Sequence, residues 1–102
     1  MSSVDGPVVV VAHYRVRPGA ADEVAAALRE YTGLVRAEPG CLGFTAHRDR
    51  ADPEAFALYE SYRSQADLDA HVASEHYARI ARDRIRPLLA ERTVAFYDVL
   101  DG

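Results

Sequence analysis

The sequence has little cysteine, no tryptophan and no lysine. Its single cysteine, Cys41, cannot form an internal disulfide, and one thiol alone excludes a CxxC redox motif and a cysteine-based zinc site. This cysteine usage is typical of proteins that work in a reducing compartment. We therefore expect a cytoplasmic protein.

All twelve basic residues are arginines, and they are spread along the chain rather than clustered. The formal net charge is −4. Nucleic acids and acidic membranes are bound by clustered positive charge, so this distribution favours neither partner.

Long hydrophobic runs are absent too. The longest, residues 7–12, is far shorter than the ~20 residues that a transmembrane helix needs, and the first residues lack the basic-then-apolar order of a signal peptide. A glycine-rich phosphate loop, a dinucleotide-binding fingerprint and a serine nucleophile elbow are also missing. The sequence thus predicts a soluble protein and gives no support to a kinase, a nicotinamide-dependent enzyme or a serine hydrolase.

The length of 102 residues allows one domain, 1–102, with a core over about residues 7–100. Hydrophobic periodicity and turn signals predict the element order β-α-β-β-α-β. The predicted strands are residues 8–16, 42–50, 55–63 and 92–100, and the first helix is residues 20–37. The second helical region begins at Ser64, which forms a capping-box pattern with Asp67, and restarts at a second N-cap candidate, Ser74.

This order is typical of the split βαβ, ferredoxin-like α+β fold, in which a four-stranded antiparallel sheet carries its helices on one face. Residues 8–11 are all valine, and the last strand is apolar on both faces. The face without helices is therefore too apolar to meet water. We expect it to stack on the same face of a second copy, which gives a homodimer.

Four segments in this order resemble the antibiotic biosynthesis monooxygenase family: RPG at 17–19, EPGC at 38–41, FALYESY at 56–62 and LDAHVASEHY at 68–77. The resemblance covers nearly the whole chain. It implies a dimeric α+β barrel with one small-molecule pocket per subunit. It also implies a quinol or polyketide oxygenase that uses O₂ without a metal, flavin or other cofactor.

The same family includes haem-degrading members and one that acts on a phosphorylated signalling sugar. The haem branch carries an asparagine, a tryptophan and a haem-ligating histidine, and the matching positions here are Ala12, His71 and Ala81. An alanine can neither ligate iron nor donate a hydrogen bond to bound oxygen, so this departure argues against haem.

Glu60 and His71 are the candidate catalytic residues. Glu60 alternates with apolar residues on one strand face, so it is predicted to be buried, and burial should raise its pKa. His71 shares a helix face with Leu68 and Val72, and the cap at Ser64 brings this helix back over the strand. The pair could act as general acid and base, or could simply form a satisfied buried hydrogen bond.

A metal site is not predicted. On one continuous helix His76 would point about 140° away from His71, and His71 with Glu75 lacks a third ligand. With a helix break near Ser74, His76 could still line a pocket.

The aromatic residues predicted to wall a pocket for an aromatic substrate, or to fill the core instead, are Tyr14, Tyr31, Phe44 and Tyr62. His13 and His47 are assigned to the sheet interface.

The sequence is compatible with three functions. In the first, a cofactor-independent monooxygenase uses His71, helped by Glu60, to deprotonate a hydroquinone, naphthol or polyketide-like phenol that then reacts with O₂. The second is an isomerase or degradative enzyme for a small oxygenated metabolite. The third is a dimeric barrel that binds a small ligand without catalysis.

Overall fold

The computed structural model describes residues 6–100. The elements follow the predicted β-α-β-β-α-β order, with the second helical region in two parts. They are β1 (Val8–Val16), α1 (Ala21–Arg36), β2 (Cys41–Arg48), β3 (Ala55–Tyr62), α2 (Gln65–Val72), the π-helical α3 (Tyr77–Ile85), a 3₁₀ turn (Arg86–Leu88) and β4 (Leu89–Asp98). The predicted ferredoxin-like α+β fold is confirmed.

The four strands form one antiparallel sheet in the order β2-β3-β1-β4. The register aligns Phe44, Glu60, Val10 and Phe96 in a single row across the sheet. The first three of these side chains are buried beneath the helices, whereas Phe96 on the edge strand is 62% exposed. This row therefore runs from the hydrophobic core to the protein surface.

The core lies between this sheet face and the helices. The apolar face predicted for α1 from i, i+3, i+4 spacing is buried at Val24, Leu28, Tyr31 and Val35. Leu34, which the same spacing includes, is 36% exposed. No helix within residues 6–100 is both long and apolar enough to cross a membrane.

α3 is π-helical, and its final hydrogen bond runs from the Arg86 N–H to the Ala81 carbonyl, five residues back. Ile80 and Ile85, also five residues apart, are both fully buried. The wider turn thus lets two isoleucines with this spacing share one core.

The sheet face without helices carries Val9, Val11 and Tyr59, and Tyr59 is 48% exposed. His13 and His47 are exposed on the same face, as predicted from strand alternation. The His47 Nδ1 lies 3.1 Å from the Ala57 carbonyl oxygen.

The last strand was predicted at residues 92–100, and its bounds were wrong at both ends. β4 starts at Leu89 because Leu89 pairs with Val16 across an irregularity in the register. It ends at Asp98 opposite Val8, where β1 itself begins, so residues 99 and 100 have no strand partner in β1.

Gly40 sits where the chain enters β2 against the start of α2. Its carbonyl accepts a hydrogen bond from the Arg63 N–H at 2.9 Å. A Cβ at Gly40 would overlap the Asp67 side chain. That side chain is held by Arg63 at 2.8 Å and by the Ser64 hydroxyl at 3.1 Å, so it cannot move away freely.

Gly40→Ala is therefore expected to destabilise the protein by about 1–3 kcal/mol, because the start of α2 must shift. Gly33→Ala is the matched control, since Gly33 lies within α1 and a Cβ there meets no atom within 4 Å. This control should stabilise the protein by about 0.5–1 kcal/mol. Urea unfolding gives both free energies; a Gly40→Ala variant as stable as wild type would contradict the predicted overlap.

Candidate active site

His71 is brought over the sheet by the cap of α2. The Ser64 hydroxyl accepts a hydrogen bond from the Asp67 N–H at 3.2 Å, which confirms the predicted capping interaction. One helical turn later the His71 ring packs on Tyr62, with ring centroids 4.9 Å apart and planes inclined by 31°. His71 is 4% exposed.

Glu60 is buried beside it, 7% exposed. The Tyr62 hydroxyl donates a hydrogen bond to Glu60 Oε1 at 2.7 Å, and His71 Nε2 lies 3.8 Å from the same oxygen. That distance is too long for a hydrogen bond. The structure therefore brings Glu60 and His71 together as predicted, but Tyr62 rather than His71 satisfies the carboxyl group.

Burial raises the pKa of Glu60 above its ordinary value, because the charged form loses its hydration. The hydrogen bond from Tyr62 and the nearby His71 oppose this effect. Burial likewise raises the pKa of Tyr31 and of Tyr62, and the Glu60 charge adds to both shifts. These phenols therefore remain protonated donors.

The raised pKa of Glu60 makes protein stability depend on pH. Near its ordinary value of 4.5 the unfolded chain begins to lose this proton, while the folded protein still holds it. Stability from this group is thus present at lower pH and is lost as the pH rises through the folded pKa, with a slope of at most about 1.4 kcal/mol per pH unit.

Glu60→Gln should remove that loss, so the variant gains stability relative to wild type as the pH rises above 4.5. Urea unfolding at a series of pH values measures the difference. Glu23→Gln is the control, because Glu23 is exposed. A stability difference between Glu60→Gln and wild type that does not change with pH would contradict the prediction.

The two ring nitrogens of His71 have different partners. Nδ1 lies 2.9 Å from Glu38 Oε2, and Nε2 lies 3.2 Å from the Tyr31 hydroxyl. A carboxylate oxygen only accepts, so the neutral ring carries its proton on Nδ1. The Nε2 lone pair then accepts from Tyr31, on the side of the ring that faces Glu60.

His76 also reaches Glu38, since its Nε2 is in hydrogen-bonding contact with Glu38 Oε2. The separation of about 140° expected on one continuous helix does not apply, because α2 ends at Val72 and the chain has the break expected near Ser74. The Ser74 hydroxyl donates to the His71 carbonyl at 2.7 Å and accepts from the Tyr77 N–H at 3.2 Å. This serine turns the chain between the two histidines.

A cavity of about 60 Å³, called here the cleft, lies between the sheet, α2 and α3. Tyr14, Tyr31, Glu60 and His71 line it, and it extends to the exposed Phe96. The other residues predicted to bind substrate do not line it; they are Phe44, Tyr62 and His76. Phe44 packs edge-on against Tyr31, with ring centroids 5.6 Å apart.

A larger surface depression, about 310 Å³, lies between α1 and the β2 edge. Three arginines line it: Arg29, Arg36 and Arg48. It lacks a buried carboxyl group and a buried histidine, so the smaller cleft is the better candidate for acid–base chemistry.

Two residues of the site were not identified from the sequence. Glu38 belongs to the EPGC loop, 33 residues before His71, and no local spacing links the two. Arg86 lines the cleft, and its Nε is buried without a hydrogen-bond partner among residues 6–100. Its NH2 group donates to the Tyr77 hydroxyl at 3.0 Å.

Comparisons with known proteins identify the family and the fold. Residues 7–83 match the family described as antibiotic biosynthesis monooxygenase. The chain is 38% identical to Rv0793 of Mycobacterium tuberculosis over 71 residues, which are 70% of this chain and 69% of that protein. The solved structure of Rv0793 superposes with a TM-score of 0.87, covering 95% of this chain and 98% of that chain, at 32% identity.

A second solved structure, PA3566 from Pseudomonas aeruginosa, superposes with a TM-score of 0.86 at 31% identity and covers 95% of this chain and 97% of that one. The uncharacterized protein sll1783 of Synechocystis is 27% identical over 77 residues, which are 76% of this chain. The match covers 52% of sll1783, so the chain spans about half the length of that relative.

Proposed function

Because this chain belongs to the antibiotic biosynthesis monooxygenase family, we propose that it is a cofactor-independent monooxygenase. Its substrate is a small electron-rich aromatic compound: a hydroquinone, a naphthol or a polyketide-like phenol. The observation that carries the proposal is the position of His71, whose Nε2 faces a cleft that also contains a buried carboxyl group.

His71 acts as the general base. With its proton fixed on Nδ1 by Glu38, the ring uses its Nε2 lone pair as the base, and a phenolic hydroxyl in the cleft displaces the Tyr31 hydroxyl from which this lone pair otherwise accepts. Histidine is suited to this role, because imidazole in general titrates near neutral pH. The imidazolium that forms is stabilised by the Glu38 carboxylate, in the way that a carboxylate supports the histidine of a catalytic triad.

The substrate supplies the electrons. The deprotonated aromatic ring transfers one electron to O₂, and the resulting radical pair combines to form a carbon–oxygen bond. Proton transfer from His71 gives the hydroperoxide. The attacked ring carbon then loses its own proton, the electrons of that C–H bond form the quinone C=O bond, and the O–O bond breaks; the outer oxygen leaves as hydroxide and takes up a proton to become water. O₂ is thus reduced by the substrate itself, which is oxidised to a quinone.

Arg86 would stabilise the anions formed in this reaction. Arg86 lines the cleft, and its buried Nε–H has no hydrogen-bond partner among the described residues. A donor with a free hydrogen in a site shielded from water stabilises a developing oxyanion strongly. Arg86 would therefore bind the phenolate oxygen or the reduced oxygen.

The cleft needs to widen for an aromatic ring. Its volume of about 60 Å³ exceeds that of one water molecule, but a cavity that holds benzene measures about 150 Å³. Val72 and Phe96 line the cleft and are 49% and 62% exposed, so they can rotate without disturbing the core. The aromatic ring would enter between them.

Oxygen uptake tests the proposal. Metal-stripped protein is assayed with a panel of hydroquinones, naphthols and anthrones, in air and under anaerobic conditions. Substrate-dependent uptake that yields a quinone is the expected result. Turnover that continues without O₂ would indicate an isomerase or degradative enzyme instead, and binding without product would indicate a ligand-binding protein.

The working form is proposed to be a cytoplasmic homodimer. The sheet face without helices carries partly buried valines next to half-exposed Tyr59 and Tyr97, an apolar surface suited to a second copy. Sedimentation equilibrium should give twice the chain mass, and Val11→Arg at the centre of this face should give a monomer. A monomeric wild-type protein would disprove the dimer.

A further inference from the structure

Three metal-binding side chains converge beside the cleft. Glu38, His71 and His76 each offer one ligand atom, and these atoms lie within 4.8 Å of one another. Glu38 Oε2 is in contact with both His71 Nδ1 and His76 Nε2. They come from three parts of the chain: the loop after α1, helix α2, and the segment between α2 and α3. We propose that this cluster binds one divalent transition-metal ion of the zinc type per chain.

The donor set selects the class of ion. Two imidazoles and one carboxylate suit Zn²⁺ and the neighbouring first-row ions, whereas Mg²⁺ and Ca²⁺ prefer sites made of oxygen atoms alone. Three protein ligands also leave a coordination position for water or another small ligand, as in catalytic zinc sites.

The geometry requires small movements only. Metal–ligand distances of about 2.0–2.2 Å place neighbouring donors about 3.3 Å apart in a tetrahedral site. His71 Nδ1 is already 2.9 Å from Glu38 Oε2. For one ion to contact all three donors, the carboxylate would withdraw slightly and the two imidazole rings, whose ligand atoms lie within 4.8 Å of each other, would approach.

The residues around the cluster leave it open to solvent on one side and hold His71 in position. The side chains of Glu38 and His76 are 14% and 18% exposed, so the cluster has a route to solvent, while His71 is held within the core. The Tyr31 hydroxyl contacts the other nitrogen of His71. Such outer contacts orient metal-binding imidazoles and commonly contribute 10–100-fold to affinity.

Metal binding would also change His71. A metal on Nδ1 displaces the proton there, and the neutral ring then carries its proton on Nε2, which points to Tyr31 and Glu60. His71 could no longer accept a proton from a phenol. If His71 is the base, as the proposed function states, the ion acts as an inhibitor of the same site.

Metal binding is tested directly, without any substrate. Protein stripped with chelator is dialysed against Zn²⁺ or Co²⁺, and bound metal is measured by elemental analysis and by the visible absorption of protein-bound Co²⁺. One ion per chain is expected. His76→Ala and Glu38→Gln should each weaken binding at least tenfold.

The controls are His13→Ala and His47→Ala, because both histidines lie on the sheet face without helices and are exposed. They should bind one ion with wild-type affinity. Circular dichroism checks that each variant is folded, and the Zn²⁺-induced rise in Tm gives a second measure of binding. If His76→Ala is unfolded, the metal affinity of Glu38→Gln tests the site. If Glu38→Gln is unfolded, the affinity of His76→Ala tests it.

Absence of stoichiometric binding would overturn the site, and so would binding that survives in both cluster variants or disappears in a control. The inhibitory effect is measured separately, as loss of oxygen uptake on addition of Zn²⁺. Metal binding is measured without turnover, so the two proposals can fail separately. If the protein binds the ion but oxidises no substrate, the metal site stands and only the proposed function is refuted.

Discussion

His71→Ala is expected to lower substrate-dependent oxygen uptake by about 10²–10⁴-fold, the usual contribution of a positioned general base. The reason is geometric, because Nε2 of this ring is the basic atom that faces the cleft. The variant also loses the ring that packs on Tyr62. The initial rate of oxygen uptake in metal-free buffer, with the aromatic substrate identified by the panel, measures the effect.

A structural role for His71 has to be separated from a chemical one. His71→Asn retains a polar side chain and is assayed beside the alanine variant, with circular dichroism as a test of folding. Added imidazole should partly restore the rate of His71→Ala if a missing base is the cause. Turnover equal to wild type in folded His71→Ala would exclude His71 as the base.

Glu38→Gln is expected to reduce turnover by about 10–10²-fold, which corresponds to ~1.4–2.7 kcal/mol and matches a charge-assisted hydrogen bond. The amide oxygen can still accept hydrogen bonds from His71 and His76, so their positions are retained. The neutral amide, however, cannot stabilise the imidazolium that His71 becomes when it takes the proton. Glu38 is thus a positioning residue that acts through His71.

The pH–rate profile distinguishes this role from a purely structural one. Removal of the neighbouring negative charge makes an imidazole lose its proton more readily, so the acid limb of kcat/KM should move to lower pH in Glu38→Gln. The matched control is Glu75→Gln, since Glu75 precedes His76 but its side chain is 77% exposed. An unchanged profile in Glu38→Gln would refute the role.

Local sequence patterns were sufficient to predict most of the fold. β1 was predicted at its observed bounds, because a run of β-branched residues stopped by Pro18 has few alternatives. β4 was misplaced, because its start depends on the pairing of Leu89 with Val16 across a register irregularity. Because the two paired residues lie far apart along the chain, the local hydrophobic pattern around either one does not indicate where the strand begins.

The sequence predicted the site residues whose position depends on one strand or one helix. Strand alternation indicated a buried Glu60, and the Ser64 cap indicated that His71 lies above it. Glu38 was missed because only the tertiary fold brings its loop to α2. For His76 the sequence left two positions open, one on a continuous helix and one after a break near Ser74. The break is observed, because Ser74 forms hydrogen bonds that turn the chain between the two histidines.

The row of side chains that crosses the sheet places the group for proton transfer and the group that shapes the cleft opening on different strands. Glu60 is fixed on an inner strand beneath α2, whereas Phe96, in the same row, is exposed on the edge strand β4. A substitution at Phe96 reshapes the open end of the cleft while Glu60 and His71 keep their positions. Substrate preference can therefore be altered along one edge of the molecule, independently of the groups that move the proton.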